Sequence, residues 1–220
     1  MASRRKAEEL IKSGRIKVNG LIAKIGDKVD PDVDVVEFDG RILKPVKKEY
    51  FVVNKPKGFI TTTFDPQGRI TVMDLLKRRD LFHVGRLDKD TRGLLIVTND
   101  GDLANRLLHP RYEIERKYRV TVKGEIDDGK IKRLLKGIEL EDGLARFDSI
   151  KVVEVSRDRS ILEVSLHEGR KRMIRRMFDK IGNPVLDLLR IQFGPIKLGN
   201  LKEGEIRSLT EEEIKRLKCL

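Results

Sequence analysis

The chain has one cysteine, Cys219, no tryptophan and three histidines among its 220 residues. A single thiol excludes an internal disulfide framework and any zinc centre built on cysteines. His83, His109 and His167 are scattered without metal-ligand spacing. Long apolar runs are missing too: no stretch reaches the roughly 18 residues that cross a bilayer, and no signal peptide opens the chain. The expected location is the cytoplasm, with no membrane partner. Internal repeats and low-complexity segments are also missing.

What the chain has in quantity is charge. Charged residues make up 38%, and 48 basic against 36 acidic side chains leave a net charge of +12. With 39% hydrophobic residues the chain can still bury a real core, enough for one large domain with a small companion. Such a basic excess on a globular protein suits a polyanionic partner, nucleic acid ahead of membrane. The alternative is a generally basic, soluble surface.

The opening "SRRKAEELIKSGRIKVNGLIAKIGDKV" reads as a helix from Ser3 to Lys12, stopped at Gly14 and followed by a hairpin turning at Asn19-Gly20. Ala7, Leu10 and Ile11 supply its apolar stripe. Arg4, Arg5 and Lys6 crowd the helix start, where the macrodipole disfavours cations, so an anion nearby is one explanation and a solvated charge run the other. Arg15 and Lys17 extend the basic segment. "DGRILKPVKKE" reads as a boundary, which divides the chain into residues 1–48 and 49–220. Beyond it the strand-like runs "YFVVN", "GLLIVT", "KYRVTVK", "SIKVVEV", "SILEVSL" and "LLRIQFG" adjoin one another, with helices at "DLANRLL" and "DDGKIKRLL" inserted irregularly. That pattern predicts an α+β fold with a mixed, largely antiparallel sheet. A further helix follows "LHEGRKRMIRRMFDKIG". On a helical wheel it puts Arg172, Arg175 and Arg176 on one face and Met173, Ile174, Met177, Phe178 and Ile181 on the other.

"HVGRLDKDTRGLLIVTND" places Asp88 between Arg86 and Arg92, on a loop just before an apolar strand. A carboxylate near guanidinium groups stays ionised, which suits a nucleophile or a structural ion pair. A divalent-metal site on Asp88, Asp90, Asp100 and Asp102 is disfavoured, because Arg86, Lys89 and Arg92 compete with the cation for the same oxygens. Tyr118 shares a strand face with Val120 and Val122, so its residue-level reading is a core tyrosine with a satisfied hydroxyl.

Four segments together carry a resemblance. "NKPKGFITT", "VGRLDKDTRGLLIVTNDGDLANRLLHP", "IERKYRVTV" and "LHEGRKRMIRRMF" resemble, in order and spacing, the motifs of the bacterial ribosomal RNA pseudouridine synthases of the RsuA/RluB type. The likeness spans essentially the whole chain, and "TNDGDLANRLLHP" is more similar to the large-subunit branch. The opening resembles the small RNA-binding α/β domain, first named for a ribosomal protein, that precedes the catalytic domain in this family. Family members start that domain with an additional helix, so either the start codon is misassigned or the small domain here lacks its first helix.

The resemblance implies an isomerase that converts uridine in ribosomal RNA to pseudouridine, acting on free RNA or an assembling particle, as a monomer and without a cofactor. Asp88 is implied as the catalytic carboxylate, with attack on the sugar, attack on the base and removal of a sugar proton all open to it. Arg86 is implied to fill the space of the extruded base, a phosphate contact or ion pair being its alternative. Tyr118 is implied to stack on uracil and Arg175 to pair with the catalytic carboxylate. Lys55, Pro56 and Leu87 are expected to line the pocket, and Arg92, Arg170, Arg172 and Arg176 to contact RNA. The rival function is a non-catalytic RNA-binding or ribosome-assembly protein. The joint presence of Asp88, Tyr118 and Arg175 favours the enzyme over it.

Overall fold

The fold is that of a computed structural model, which describes residues 4–31, 33–78 and 80–220; the Arg4 side chain and the expected helix start at Ser3 lie outside the described residues. The chain divides into two compact units, residues 1–48 and 49–220.

In the first unit, helix α1 (Arg4–Lys12) half-buries Ala7, Leu10 and Ile11. Strands β1 (Ile16–Val18), β2 (Leu21–Ile22), β3 (Val36–Phe38) and β4 (Arg41–Ile42) form an antiparallel sheet in the order β2-β1-β3-β4. Both hairpins turn on a residue pair with positive φ, Asn19-Gly20 (51° and 81°) and Asp39-Gly40 (49° and 75°). Two successive left-handed residues match the twist of a two-residue hairpin, which is why Asn-Gly and Asp-Gly occupy them. The second hairpin falls in the segment that reads in the sequence only as a turn and a boundary.

The second unit is built on a nine-stranded sheet. Its main path runs β11 (Ser149–Val155), β12 (Arg159–Leu166), β8 (Arg116–Lys123), β13 (Val185–Phe193), β7 (Arg92–Thr98), β5 (Tyr50–Lys55) and β15 (Ile206–Ser208). Strand β6 (Phe82–Val84) pairs with β7, and β14 (Ile196–Lys197) with β13. Only β13 and β7 run parallel; the other ladders are antiparallel, as the α+β reading expects. A separate hairpin joins β9 (Ile138–Leu140) to β10 (Gly143–Ala145).

Both faces of β7 are covered, so it reads as a continuous apolar run rather than an alternating one. Along "LLIV" of β7, Leu95 and Val97 join one core with Met173, Ile174, Met177 and Phe178 of α5 (Met173–Lys180) and Leu134 of α4 (Asp128–Lys136). Val72 and Met73 of the short α2 (Val72–Leu76) close that core. Leu94 and Ile96 join a second core with Leu103 and Leu107 of α3 (Gly101–Leu108) and Leu217 of α6 (Glu211–Lys218). Each fully buried aliphatic side chain contributes about 1.5–3 kcal/mol of transfer free energy, so this two-sided core is what holds the loops at the strand ends rigid.

Candidate active site

The loop from Gly85 to Thr91 connects β6 to β7, two antiparallel neighbours, so Asp88 is carried at a rigid sheet end. The loop closes on itself through a Thr91 N–H to Asp88 carbonyl bond of 3.0 Å. Thr61 braces it from outside, donating its hydroxyl to the Leu87 carbonyl at 2.8 Å and accepting the Leu87 N–H at 3.2 Å. Gly58 donates its N–H to the Lys89 carbonyl at 2.9 Å. Beyond the loop, Gly93 is required where β7 meets β13: a Cβ there would lie 2.4 Å from the Arg190 carbonyl oxygen.

Asp88 opens into a cleft of about 340 Å³ whose walls include Arg86, Leu87, Thr91, Tyr118, Arg172 and Arg175. The three residues expected to carry chemistry, Asp88, Tyr118 and Arg175, thus share one cavity. The half-buried Asp88 carboxylate makes no hydrogen bond or ion pair with any described residue. Tyr118 is 8% exposed, lines the cleft and shares its strand face with Val120 and Val122. Arg175, also 8% exposed, donates to the backbone carbonyls of Asp90 (3.1 Å) and Val185 (3.2 Å) rather than to the Asp88 carboxylate, which differs from the expected pairing. Burial, then the neighbouring Arg172, lowers its pKa, while the carboxylates of Asp90, Asp88 and Asp187 pull the other way. Arg175 therefore fixes the turn that carries Asp88 and adds a positive field. Its Nε and the Thr91 hydroxyl are buried without a hydrogen-bond partner among the described residues.

Several expected contacts fall elsewhere. Arg92 does not face Asp88: its guanidinium grips Asp187 at 2.7 Å, and Lys57 reaches the same carboxylate at 2.6 Å. Burial opposes that carboxylate, but the bonds from Arg92 and Lys57 hold its pKa at about 2. Pro56 lines this outer groove with Lys57, Arg92, Asp187 and Glu203, not the Asp88 cleft. Lys55 lines neither. It is 0% exposed, donates to the carbonyls of Pro56 and Phe59 at 2.8 Å each, and burial pulls its amine down to about 8 against the attraction of Asp88, Asp90 and Glu203.

The arginines of α5 also part company. Arg172 lies before the helix in the left-handed region (φ 50°), 3.8 Å from the Asp90 carboxylate, while Arg176 pairs with Asp142 at 2.8 Å. The expected single face is corrected in one respect: Arg172 and Arg175 line the Asp88 cleft, whereas Arg176 does not line it and pairs with Asp142. Arg170 reaches the cleft rim but spends its donors on Asp142, Gly143, Leu144 and Glu168. Arg86 is exposed at the rim and unpaired among the described residues. In the first unit Arg5, Lys6, Arg15 and Lys17 are exposed, with Lys6 paired to Glu9 and Arg15 to Asp39. Asp100, once a candidate metal ligand, is buried at the start of α3 and accepts from the Tyr50 hydroxyl at 2.7 Å. Among the described residues no three His, Cys, Asp or Glu side chains are grouped to hold a metal ion, and no helix is long and apolar enough to cross a membrane.

Residues 49–180 match the RNA pseudouridylate synthase family, and residues 1–35 match the S4 domain. The chain belongs to the RNA pseudouridine synthases, which are isomerases, and its pairing of the two domains is that of the RsuA/RluB type. It is 48% identical over 221 residues to an uncharacterized RNA pseudouridine synthase of Aquifex aeolicus, covering 99% of this chain and 89% of that one. It is 41% identical over 225 residues to the ribosomal large subunit pseudouridine synthase B of Bacillus subtilis, covering 100% and 92%. A solved pseudouridylate synthase crystal structure superposes with a TM-score of 0.70 at 29% identity, over 98% of this chain and 94% of that one.

Proposed function

We propose that this enzyme isomerises one uridine of large-subunit ribosomal RNA, with Asp88 as its catalytic carboxylate and Tyr118 and Arg175 completing the site. The observation that carries this reading is the Asp88 carboxylate, unpaired among the described residues and open to a cleft that Tyr118 and Arg175 also line. An anion already neutralised by a salt bridge would have to break it before reacting; this one does not. In the reaction the bond from ribose carbon 1′ to base nitrogen 1 breaks, the base turns, and carbon 1′ joins carbon 5. Nitrogen 1 gains a proton as carbon 5 loses one, so no electron or group donor is needed. The target has to leave its stack to reach Asp88, and the Tyr118 ring offers the extruded uracil a surface to stack on. Arg86 then fills the vacated position in the RNA, a reading supported by its exposure at the rim without an ion pair among the described residues.

The small unit supports docking of the same RNA through its exposed Arg5, Lys6, Arg15 and Lys17, and its division from the second unit supports separate binding and catalytic domains at residues 1–48 and 49–220. The large subunit is favoured by the likeness to the Bacillus subtilis protein. Pseudouridine mapping of ribosomal RNA from cells with and without the gene tests the reading. One position lost from the large-subunit map is the expected result; an unchanged map would favour a protein that binds RNA without modifying it.

A further inference from the structure

A second cleft, of about 460 Å³, adjoins the one that holds Asp88, and Arg86 and Tyr118 stand in the wall common to both. Its floor is one face of the sheet. Arg116 and Tyr118 alternate along β8, Arg190 of β13 lies opposite Tyr118, and Phe193 lies opposite Arg116. The guanidinium carbons of Arg116 and Arg190 are each 5.2 Å from the centre of the Phe193 ring.

Arg92, Arg170, Arg172 and Arg176 each have a carboxylate, whereas Arg116 and Arg190, like Arg86 and Arg175 in the first cleft, have no ion pair among the described residues; what sets Arg116 and Arg190 apart is that they lie together in the floor of the second cleft. Arg190 is 2% exposed; its Nε donates to the Leu94 carbonyl at 2.7 Å, and its Nη2 is buried without a partner. Arg116 is half-buried and donates one bond, to the His167 carbonyl at 2.6 Å. Burial presses its pKa down, the Tyr118 hydroxyl opposes this, and the Arg190 charge adds a smaller push downward. Two like charges side by side in a desolvated floor are costly unless an anion completes them. The carboxylates at this cleft do not: Glu168 is held by Arg170, and Glu113 sits exposed at the rim.

We propose that this cleft seats a phosphodiester of the RNA substrate, one flanking the target uridine, with Arg116 as the contacting fork and Arg190 beneath it supplying a second positive charge. The inference rests on the reading of the Asp88 cleft as the uridine pocket, because the common wall of Arg86 and Tyr118 puts the neighbouring linkage of the same strand over the second cleft. A planar guanidinium can give two parallel hydrogen bonds to phosphate oxygens, and a dry floor magnifies each charge. A linkage held there fixes the strand on one side of the extruded nucleotide while Asp88 acts on it.

A methylphosphonate scan tests this. A synthetic hairpin carrying the mapped uridine is made with one neutral linkage at a time, and its affinity is measured for the full-length protein and for Arg116→Gln. Neutralising one linkage next to the target is expected to weaken wild-type binding about 10- to 100-fold, the range of a charge-assisted contact. Arg116→Gln should lose a similar factor on the native hairpin and nothing further on that neutral linkage, while Arg116→Lys should recover part of the loss. A flat scan on the wild-type protein, or additive losses in the variant, would overturn the subsite; the wild-type scan decides even if a variant does not fold. Inhibition by inorganic phosphate that Arg116→Gln removes, together with a flat scan, would make the cleft a small-anion site and overturn the RNA assignment. Isomerisation of the same hairpin is measured in parallel. Normal turnover with a flat scan removes only the subsite, whereas no turnover on any ribosomal RNA fragment removes the function on which it rests.

Discussion

Thr61 holds Leu87 by both edges of its peptide, giving its hydroxyl hydrogen to the carbonyl at 2.8 Å and taking the N–H at 3.2 Å. Leu87 immediately precedes Asp88, and both Thr61 and Leu87 are buried, so this hydroxyl is one of the restraints that hold the backbone beside Asp88. Replacing it by a methyl group leaves a buried donor and a buried acceptor unsatisfied, at about 1–3 kcal/mol each. Thr61→Val is expected to lower kcat by one to two orders of magnitude, on the order of what a misplaced reacting group costs, with RNA affinity little changed. Thr61→Ser should keep most of the activity. A Thr61→Val enzyme with wild-type kcat in a tritium-release assay would mean that the brace does not position Asp88.

Asp88→Asn keeps shape and removes charge. Isomerisation is expected to fall by a factor on the order of 10⁴ or more, as for other enzymes that lose the reacting group, while RNA affinity persists because the phosphate contacts are made by other residues. Tritium release and filter binding on the same preparation separate the two. Turnover within a hundredfold of wild type would exclude Asp88 as the group that does the chemistry.

Arg175 acts on the turn rather than through a bond to the carboxylate, because its two terminal nitrogens donate to the Val185 and Asp90 carbonyls. A lysine has the charge but not the fork. Arg175→Lys should therefore reduce kcat about 10- to 100-fold, the worth of one to two charge-assisted bonds, with the KM for RNA shifting much less. Equal losses in kcat and affinity would make Arg175 a phosphate contact instead.

What the sequence revealed and what it hid divide along the range of the interactions. The Asn19-Gly20 hairpin is legible because two adjacent residues decide it, and "LLIVT" is legible as a strand because both its faces are covered. Helix α6 carries a readable start as well, a capping box between Thr210 and Glu213 with three acids in its first turn, yet its short apolar content gives little periodicity to find. The partner of Arg92 is not legible, since Asp187 is 95 positions away and only the parallel contact of β7 with β13 brings them together. Arg176 is misplaced by the wheel for the same reason: Asp142 lies 34 positions upstream. Thr61 sits inside "NKPKGFITT", but nothing in that string says that its hydroxyl meets Leu87, 26 residues on.

Lys55 makes stability depend on pH in a definite direction. Burial lowers its pKa from 10.5 to about 8, so between those values the folded protein has released a proton that the unfolded chain still holds. With more protons bound in the unfolded state, the unfolding free energy rises with pH, by about 1 kcal/mol per unit for a single group. Below pH 8 both states are protonated and the contribution is flat. The difference in unfolding free energy between wild type and Lys55→Met, taken from urea titrations, should therefore be constant up to pH 8 and then move in favour of wild type toward pH 10.5. A difference independent of pH across that window would place the Lys55 pKa at its ordinary value.

The small unit offers the last test, because its charge is concentrated: Arg4, Arg5, Lys6, Lys12, Arg15, Lys17 and Lys24 stand against Glu8 and Glu9 in the first 24 residues. The Lys6 to Glu9 and Arg15 to Asp39 pairs are exposed, and exposed pairs are weak enough to be exchanged for phosphate. Both hydrophobic cores of the second unit are made wholly of residues between Tyr50 and Leu217, so a protein lacking residues 1–48 is expected to fold. It retains Asp88, Tyr118 and Arg175, and should turn over at saturating RNA. Its affinity should fall, and the slope of log affinity against log salt should flatten by roughly 0.7 to 0.9 for each phosphate contact removed. Binding measured across a salt series for the full chain and the deletion decides. A folded deletion with an unchanged slope would make the opening a solvated surface and leave RNA docking to the arginines around the two clefts of the second unit.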